Sequence, residues 1–148
     1  MIIDLKKIKR SGKEQADFYF EYQPEIELLD IPNVQFALPI KVMGNVTLTG
    51  EHSCYIQGEV SFSIEGECTR CLKQAVNDYL FEFSESADNL ATDGDGYQVK
   101  NDTVDLTKIV NDVILINQPV SFLCSEDCKG ICLNCGVNLN DGECKCKN

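Results

Sequence analysis

Six of the nine cysteines of this chain fall within its last 25 residues: Cys124, Cys128, Cys132, Cys135, Cys144 and Cys146. Two more, Cys68 and Cys71, form a Cys-Thr-Arg-Cys pair in mid-chain, and Cys54 stands apart. The stretch carrying the six is polar and glycine-containing, so a thiol acting only as a small hydrophobe has no core to fill there. Eight clustered thiols are what two four-thiolate metal sites use, and zinc takes such ligands at tetrahedral corners.

Local spacing closes one site. Cys132-Leu-Asn-Cys135 is a loop that lends two sulfurs to one ion, and Gly136 permits the positive-φ turn that follows such loops. Asn140-Asp141-Gly142 signals a turn folding Cys144 and Cys146 back toward that pair. The other four are less determined. Cys68 and Cys71 need two partners, which Cys124 and Cys128 can supply, in a site tying mid-chain to tail. A competing arrangement gives one zinc to Cys128, Cys132, Cys135 and one of the last two cysteines, leaving Cys68 and Cys71 free or redox-active. The expected cofactor is Zn2+, one or two ions, in a structural role, because four thiolates leave no open position for water. Such binding supplies about 10–16 kcal/mol of apparent free energy to a segment too short to fold alone. An iron–sulfur centre is the other occupant four thiolates admit.

The remaining candidates read as ordinary structure. Cys54 precedes Tyr55 in a strand-like stretch and is expected in the core. His52, the lone histidine, is expected at an exposed strand end. No Ser/His/Asp arrangement, phosphate loop or dinucleotide fingerprint occurs. The odd cysteine count argues against a complete disulfide framework. The N-terminus has no long apolar stretch after its charges and does not read as a secretory signal; no apolar run approaches the ~20 residues that span a bilayer. A cytoplasmic protein away from membranes is expected.

Charge narrows the partners. The formal net charge is −11, from 13 basic and 24 acidic residues. Residues 1–13 carry Lys6, Lys7, Lys9, Arg10 and Lys13 against Asp4, a local +4, while the remainder carries 8 basic and 23 acidic, a local −15. An acidic body repels phosphate backbones and favours protein partners. Direct RNA contact is confined to Lys6, Lys7, Lys9, Arg10 and Lys13, or to Lys129, Lys145 and Lys147; the plain alternative is a solvated N-terminal segment.

Alternation of apolar and polar residues dominates the rest. Phe18, Phe20 and Tyr22 alternate, as do Phe36, Leu38, Ile40 and Val42, then Val60, Phe62 and Ile64, then Tyr79, Phe81 and Phe83. Period two means one buried and one wet face, as in antiparallel sheets. Gly44-Asn45 and Gly50-Glu51 read as turns, Gly58 as a bulge, and Pro39 as an edge or a bend. Residues 84–102 read as a mobile acidic loop; its Asp93-Gly-Asp95-Gly run lacks the later ligands of a calcium loop, which is rejected. One helix is expected near 105–117, capped by Asp105, with Leu106, Ile109, Val110, Val113 and Ile114 on one face. The fold class is α+β: a mainly antiparallel β-sheet with one packed helix and a small zinc-stabilised C-terminal segment. The expected division is a β-rich domain over 1–120 and a cysteine-rich zinc-binding tail over 121–148.

These elements in order resemble the YceD family, the large ribosomal RNA subunit accumulation proteins of bacteria and plastids. The carrying residues are Gly66-Glu-Cys68-Thr-Arg-Cys71-Leu72, the apolar helix, and the ending from Leu123-Cys124 through Cys128-Lys-Gly130-Ile-Cys132-Leu-Asn-Cys135-Gly136 to the final Cys-x-Cys. The cysteine-rich ending is similar to that of the Gram-positive branch; some members lack it. The resemblance implies a non-enzymatic role in accumulation or processing of large-subunit ribosomal RNA, with ribosomal or assembly proteins as partners. Two alternatives stay open: a thiol–disulfide or redox-sensing protein using Cys68 and Cys71, and a zinc-ribbon module binding RNA or protein.

Overall fold

The computed structural model describes residues 1–24, 28–92 and 96–146. The calcium-like run Asp93-Gly94-Asp95 and the candidate RNA contact Lys147 lie outside the described residues. In chain order the elements are β1 (Ile2–Asp4), α1 (Leu5–Arg10), β2 (Gln15–Tyr22), β3 (Val34–Phe36), β4 (Ile40–Leu48), β5 (Ser53–Glu67), β6 (Gln74–Asp88), β7 (Tyr97–Gln98), β8 (Thr103–Asp105) and α2 (Leu106–Asn117).

The alternating runs build one six-stranded sheet in the order β2-β4-β5-β6-β7, with β3 also on β5. Every pairing in it is antiparallel except β6 with β7. Its backbone is a long hairpin: β5 and β6 pair without a break from Ser53 opposite Asp88 to Glu67 opposite Gln74. That length places the hairpin tip, residues 68–73, at the far end of the molecule's longest ladder. One sheet face is apolar. Ile40, Val42, Val46, Ile56, Val60 and Ile64 are buried there. Against them packs α2 through the stripe Leu106, Ile109, Val110, Val113 and Ile114, all buried. Asp105 caps the helix, accepting from the Thr107 N–H at 2.8 Å, and Gln118 ends it just before Pro119. β1 and β8 form a separate two-stranded ladder beside it.

Several local readings change. Gly44-Asn45 is not a turn: β4 runs through it, and Gly44 faces Gly58 across the ladder. Gly58 is not a bulge either, because its register holds on both sides. The two glycines are needed for close approach, since a Cβ on either would run into the backbone of the opposite strand. The bulge lies at Pro39 instead. There the step from Phe36 to Lys41 faces the shorter step from Ile64 to Ser61, and β3 is left as an edge. Much of 84–102 is ordered: β6 continues to Asp88, β7 pairs with it, and Val99 is buried.

The N-terminal segment is also more than a solvated arm. Asp4 caps α1, and Leu5 and Ile8 bury against the core. Lys6 and Lys9 turn to Asp102 at 3.5 and 3.2 Å, and His52 Nδ1 reaches the same carboxylate at 3.0 Å. The hydrogen bonds from His52 and then Lys9 hold Asp102 below the usual carboxylate range, with burial opposing them. Lys7, Arg10 and Lys13 stay exposed. Among the described residues no helix is long and apolar enough to cross a membrane.

Candidate metal centres

The Cys-Thr-Arg-Cys pair forms the tip of the β5–β6 hairpin. Cys68 N–H donates to the Lys73 carbonyl and Leu72 N–H to the Cys68 carbonyl, both at 2.9 Å, so the loop closes on itself. Leu72 takes a left-handed φ of 61° to do so. Onto this tip comes the segment after α2. Phe122, fully buried, accepts from the Thr69 N–H at 2.9 Å, and Asn77 Nδ2 donates to the Leu123 carbonyl at 2.8 Å. Arg70 donates to the Cys128 carbonyl at 3.2 Å. These bonds set Cys124 and Cys128 beside Cys68 and Cys71.

The chain then makes its own small hairpin. Ile131 pairs with Asn138, Cys132 N–H donates to the Val137 carbonyl, and Gly136 N–H to the Cys132 carbonyl. Gly136 has φ 73°, as the loop chemistry requires, and residues 139–142 form the turn that returns Cys144 and Cys146.

The result is two groups of four thiols, Cys68, Cys71, Cys124 and Cys128, and Cys132, Cys135, Cys144 and Cys146. Within each group the sulfurs all lie within 4.8 Å of one another. Neighbouring sulfurs are 3.8 Å apart for Cys68 and Cys128, 3.5 Å for Cys71 and Cys124, 3.7 Å for Cys135 and Cys144, and 3.1 Å for Cys132 and Cys144. A tetrahedral ion with M–S bonds of ~2.3 Å spaces its sulfurs by about 3.8 Å, whereas a disulfide bond is about 2.05 Å. All nine cysteines are free thiols. Both groups are therefore geometrically able to hold a metal ion. The fold draws Cys128 to the mid-chain pair rather than to Cys132 and Cys135. Cys54 is in the core, and burial pushes its thiol up to about 11.

Electrostatics fit the same reading. In the first group burial raises the Cys68 thiol, but the N–H groups of Cys71, Arg70 and Cys124 outweigh it and bring it down to about 6. Cys124 is pushed up to about 12, chiefly by the sulfurs of Cys71 and Cys128. In the second group Cys132 falls to about 6 through the Cys135 N–H and the Cys144 thiol, while Cys144 and Cys135 push Cys146 up to about 12. In the first group Cys128 is lowered as well, chiefly by the Asn140 amide, while Cys71 and Cys124 are raised. In the second Cys144 and Cys146 are raised, and the raised thiols resist ionising beside their neighbours. A bound cation removes that resistance.

The two groups differ in setting. Cys68, Cys71 and Cys128 are buried, whereas Cys135 is exposed and its loop neighbour Leu133 is 97% exposed. A residue not singled out by spacing joins them: Asn140 sits in the second group's turn, and its Nδ2 donates to the Cys128 sulfur at 3.4 Å. Its Oδ1 accepts from the Lys129 N–H at 2.8 Å. In sequence Asn140 reads only as a turn former.

Comparison with known proteins bears on what this arrangement serves. The family described as Large ribosomal RNA subunit accumulation protein YceD matches residues 56–148. An uncharacterized protein of Mycobacterium leprae is 29% identical over 118 residues, covering 75% of this chain and 54% of that one. One of Mycobacterium tuberculosis is 34% identical over 91 residues, 57% of this chain and 44% of that one. The chloroplastic large ribosomal RNA subunit accumulation protein YCED homolog 1 of Arabidopsis thaliana is 37% identical over 43 residues, 29% of this chain and 13% of that one. The chain spans about half the length of the mycobacterial relatives it matches. No solved structure matches it.

Proposed function

The chain belongs to the YceD family, and on that premise we propose that it is a non-enzymatic assembly factor supporting the accumulation or processing of large-subunit ribosomal RNA. The observation that carries this reading is the span of the family match, which takes in the β5–β6 hairpin from Ile56 onward and both cysteine groups. The bound metal in the proposal is zinc, held as a structural ion by Cys68, Cys71, Cys124 and Cys128, and a second by Cys132, Cys135, Cys144 and Cys146. Four thiolates close zinc's coordination, so each ion lends rigidity and no open position for chemistry. In this reading 1–120 is the β-rich domain, 121–148 the zinc-binding tail, and the first ion staples one to the other.

The proposed site of action is the cytoplasm, with ribosomal or assembly proteins as partners. Any rRNA contact falls to the exposed cations of α1 and its following turn, Lys7, Arg10 and Lys13, or to Lys129 and Lys145 of the tail. Lys6 and Lys9 already serve Asp102. A thiol–disulfide role for Cys68 and Cys71 has less support: both sulfurs are buried, and each lies against a tail cysteine. Depleting the protein and measuring large- against small-subunit ribosomal RNA tests the assembly role. A fall in the ratio is expected; an unchanged ratio would sink it.

A further inference from the structure

The sheet has a second face, and among the described residues no helix or loop covers it. Antiparallel register lines its side chains up in cross-strand rows. One row is Tyr19, Met43, Glu59 and Glu82; the next is Glu21, Lys41, Ser61 and Leu80. Asp17, Glu65 and Asp78 share the face in rows beyond.

Three observations on this face agree. With Glu67 and Asp88 at the ends of the β5–β6 ladder, eight carboxylates meet one lysine, and no ion pair among the described residues joins any of them. Asp17, Glu21, Glu65 and Asp78 take hydrogen bonds from neutral donors, namely Asn45, Tyr19, Gln35 and Ser63. Among the described residues Glu59 and Glu82 have no such donor. They stand directly opposite each other, with Glu59 half-buried, and like charges so placed oppose folding. Large apolar side chains lie exposed between the charges: Tyr19 at 54%, Leu80 at 58% and Val76 at 60%. A groove of about 800 Å³ runs over the Glu59–Glu82 pair beside Met43.

We propose that this face docks a Lys/Arg-rich segment of a partner protein, with a cationic side chain seated between Glu59 and Glu82. The cation relieves the opposed carboxylates, its aliphatic stem lies on Met43, and the Tyr19 ring offers its π face to a neighbouring cation. Size favours a polypeptide over a small cation. From Tyr55 to Glu65 along β5 the face runs about 33 Å, and from β2 to β6 about 14 Å. This names a partner class for the assembly role but rests on the sheet face alone. Peptide binding can fail while the rRNA ratio still falls on depletion, and the converse also holds.

The test is binding of a fluorescently labelled peptide of alternating lysine and alanine to the metal-loaded full chain. Glu59→Gln with Glu82→Gln is expected to weaken binding roughly tenfold or more. The off-face pair Glu126→Gln with Asp127→Asn makes the same change in net charge and is expected to cost less than about twofold. The Glu59→Gln, Glu82→Gln protein is also expected to melt at a higher temperature when free, because it loses the opposed charges. Both glutamines are isosteric surface replacements, so the fold is retained. Equal weakening by the two pairs overturns the proposal, as does displacement of the peptide by spermine at equal charge concentration. A dimer in sedimentation that Glu59→Gln with Glu82→Gln breaks up also overturns it, placing the basic α1 of a second copy on the face.

Discussion

The two thiol groups share a ligand set and differ in what they hold. The group at the hairpin tip joins residues more than 50 positions apart, is buried, and has Phe122 beneath it. The group at the tail closes over residues 132–146, is half-buried with Cys135 exposed, and is held by its own hairpin, with Asn140 its link to the first group. With the proposed ions bound, the same chemistry would be a long-range staple in one place and a local clip in the other. Loss of the first should cost the molecule its tail; loss of the second should cost only the clip.

Removing one cysteine from each group separates the two. Cys68→Ser is expected to release residues from about 121 onward, seen as rapid proteolysis after α2, and to destabilise the chain by several kcal/mol. Cys132→Ser should leave the sheet's urea midpoint nearly unchanged. Equal effects would erase the distinction. Next in size is Phe122→Ala. Phe122 is fully buried and bridges the sheet core to the hairpin tip, so a loss of about 3–5 kcal/mol is expected in chemical denaturation. A loss under about 1 kcal/mol would show that the first group is not seated on the core.

Two glycines sharpen the contrast further. Gly130 and Gly136 both have left-handed φ, 75° and 73°. Alanine at either is expected to cost about 1–2 kcal/mol. A Cβ at Gly130 also meets the Arg70 carbonyl oxygen at 3.2 Å, whereas one at Gly136 meets nothing within 4 Å. Gly130→Ala should therefore cost more, and should loosen the first group as well. The smallest effect belongs to the metal-independent body. The folded Asp102 carboxyl lies below its unfolded value, so its contribution is present above the ordinary carboxylate pKa near 4 and is lost as pH falls through the depressed folded value. Asp102→Asn is expected to flatten the acid limb of stability against pH, alike with and without metal.

Long periodic elements were legible in the sequence. The alternation at Val60, Phe62 and Ile64, and at Tyr79, Phe81 and Phe83, marks strands because each has one core face. The helical stripe from Leu106 to Ile114 is equally direct. What local pattern could not decide was set by the tertiary fold. α1 is under two turns long, with only Leu5 and Ile8 to mark a face, and docking rather than periodicity forms it. Gly44 and Gly58 looked like punctuation but are a close approach between strands, visible only once the strands are paired. The tail group was legible because its ligands lie within one hairpin. The partners of Cys68 and Cys71 were left open because sequence spacing carries no information about a segment arriving from beyond α2. Asn140, which ties the two groups together, offered no signal beyond its turn.

The expected stoichiometry is two separate metal ions, one for each thiol group. It is tested most directly by metal content of protein purified under reducing conditions, measured for the unaltered chain, Cys68→Ser and Cys132→Ser. Two zinc equivalents in the unaltered chain and one in each variant is the expected result. Under about half an equivalent in the unaltered chain, or one equivalent that both variants lose, contradicts it.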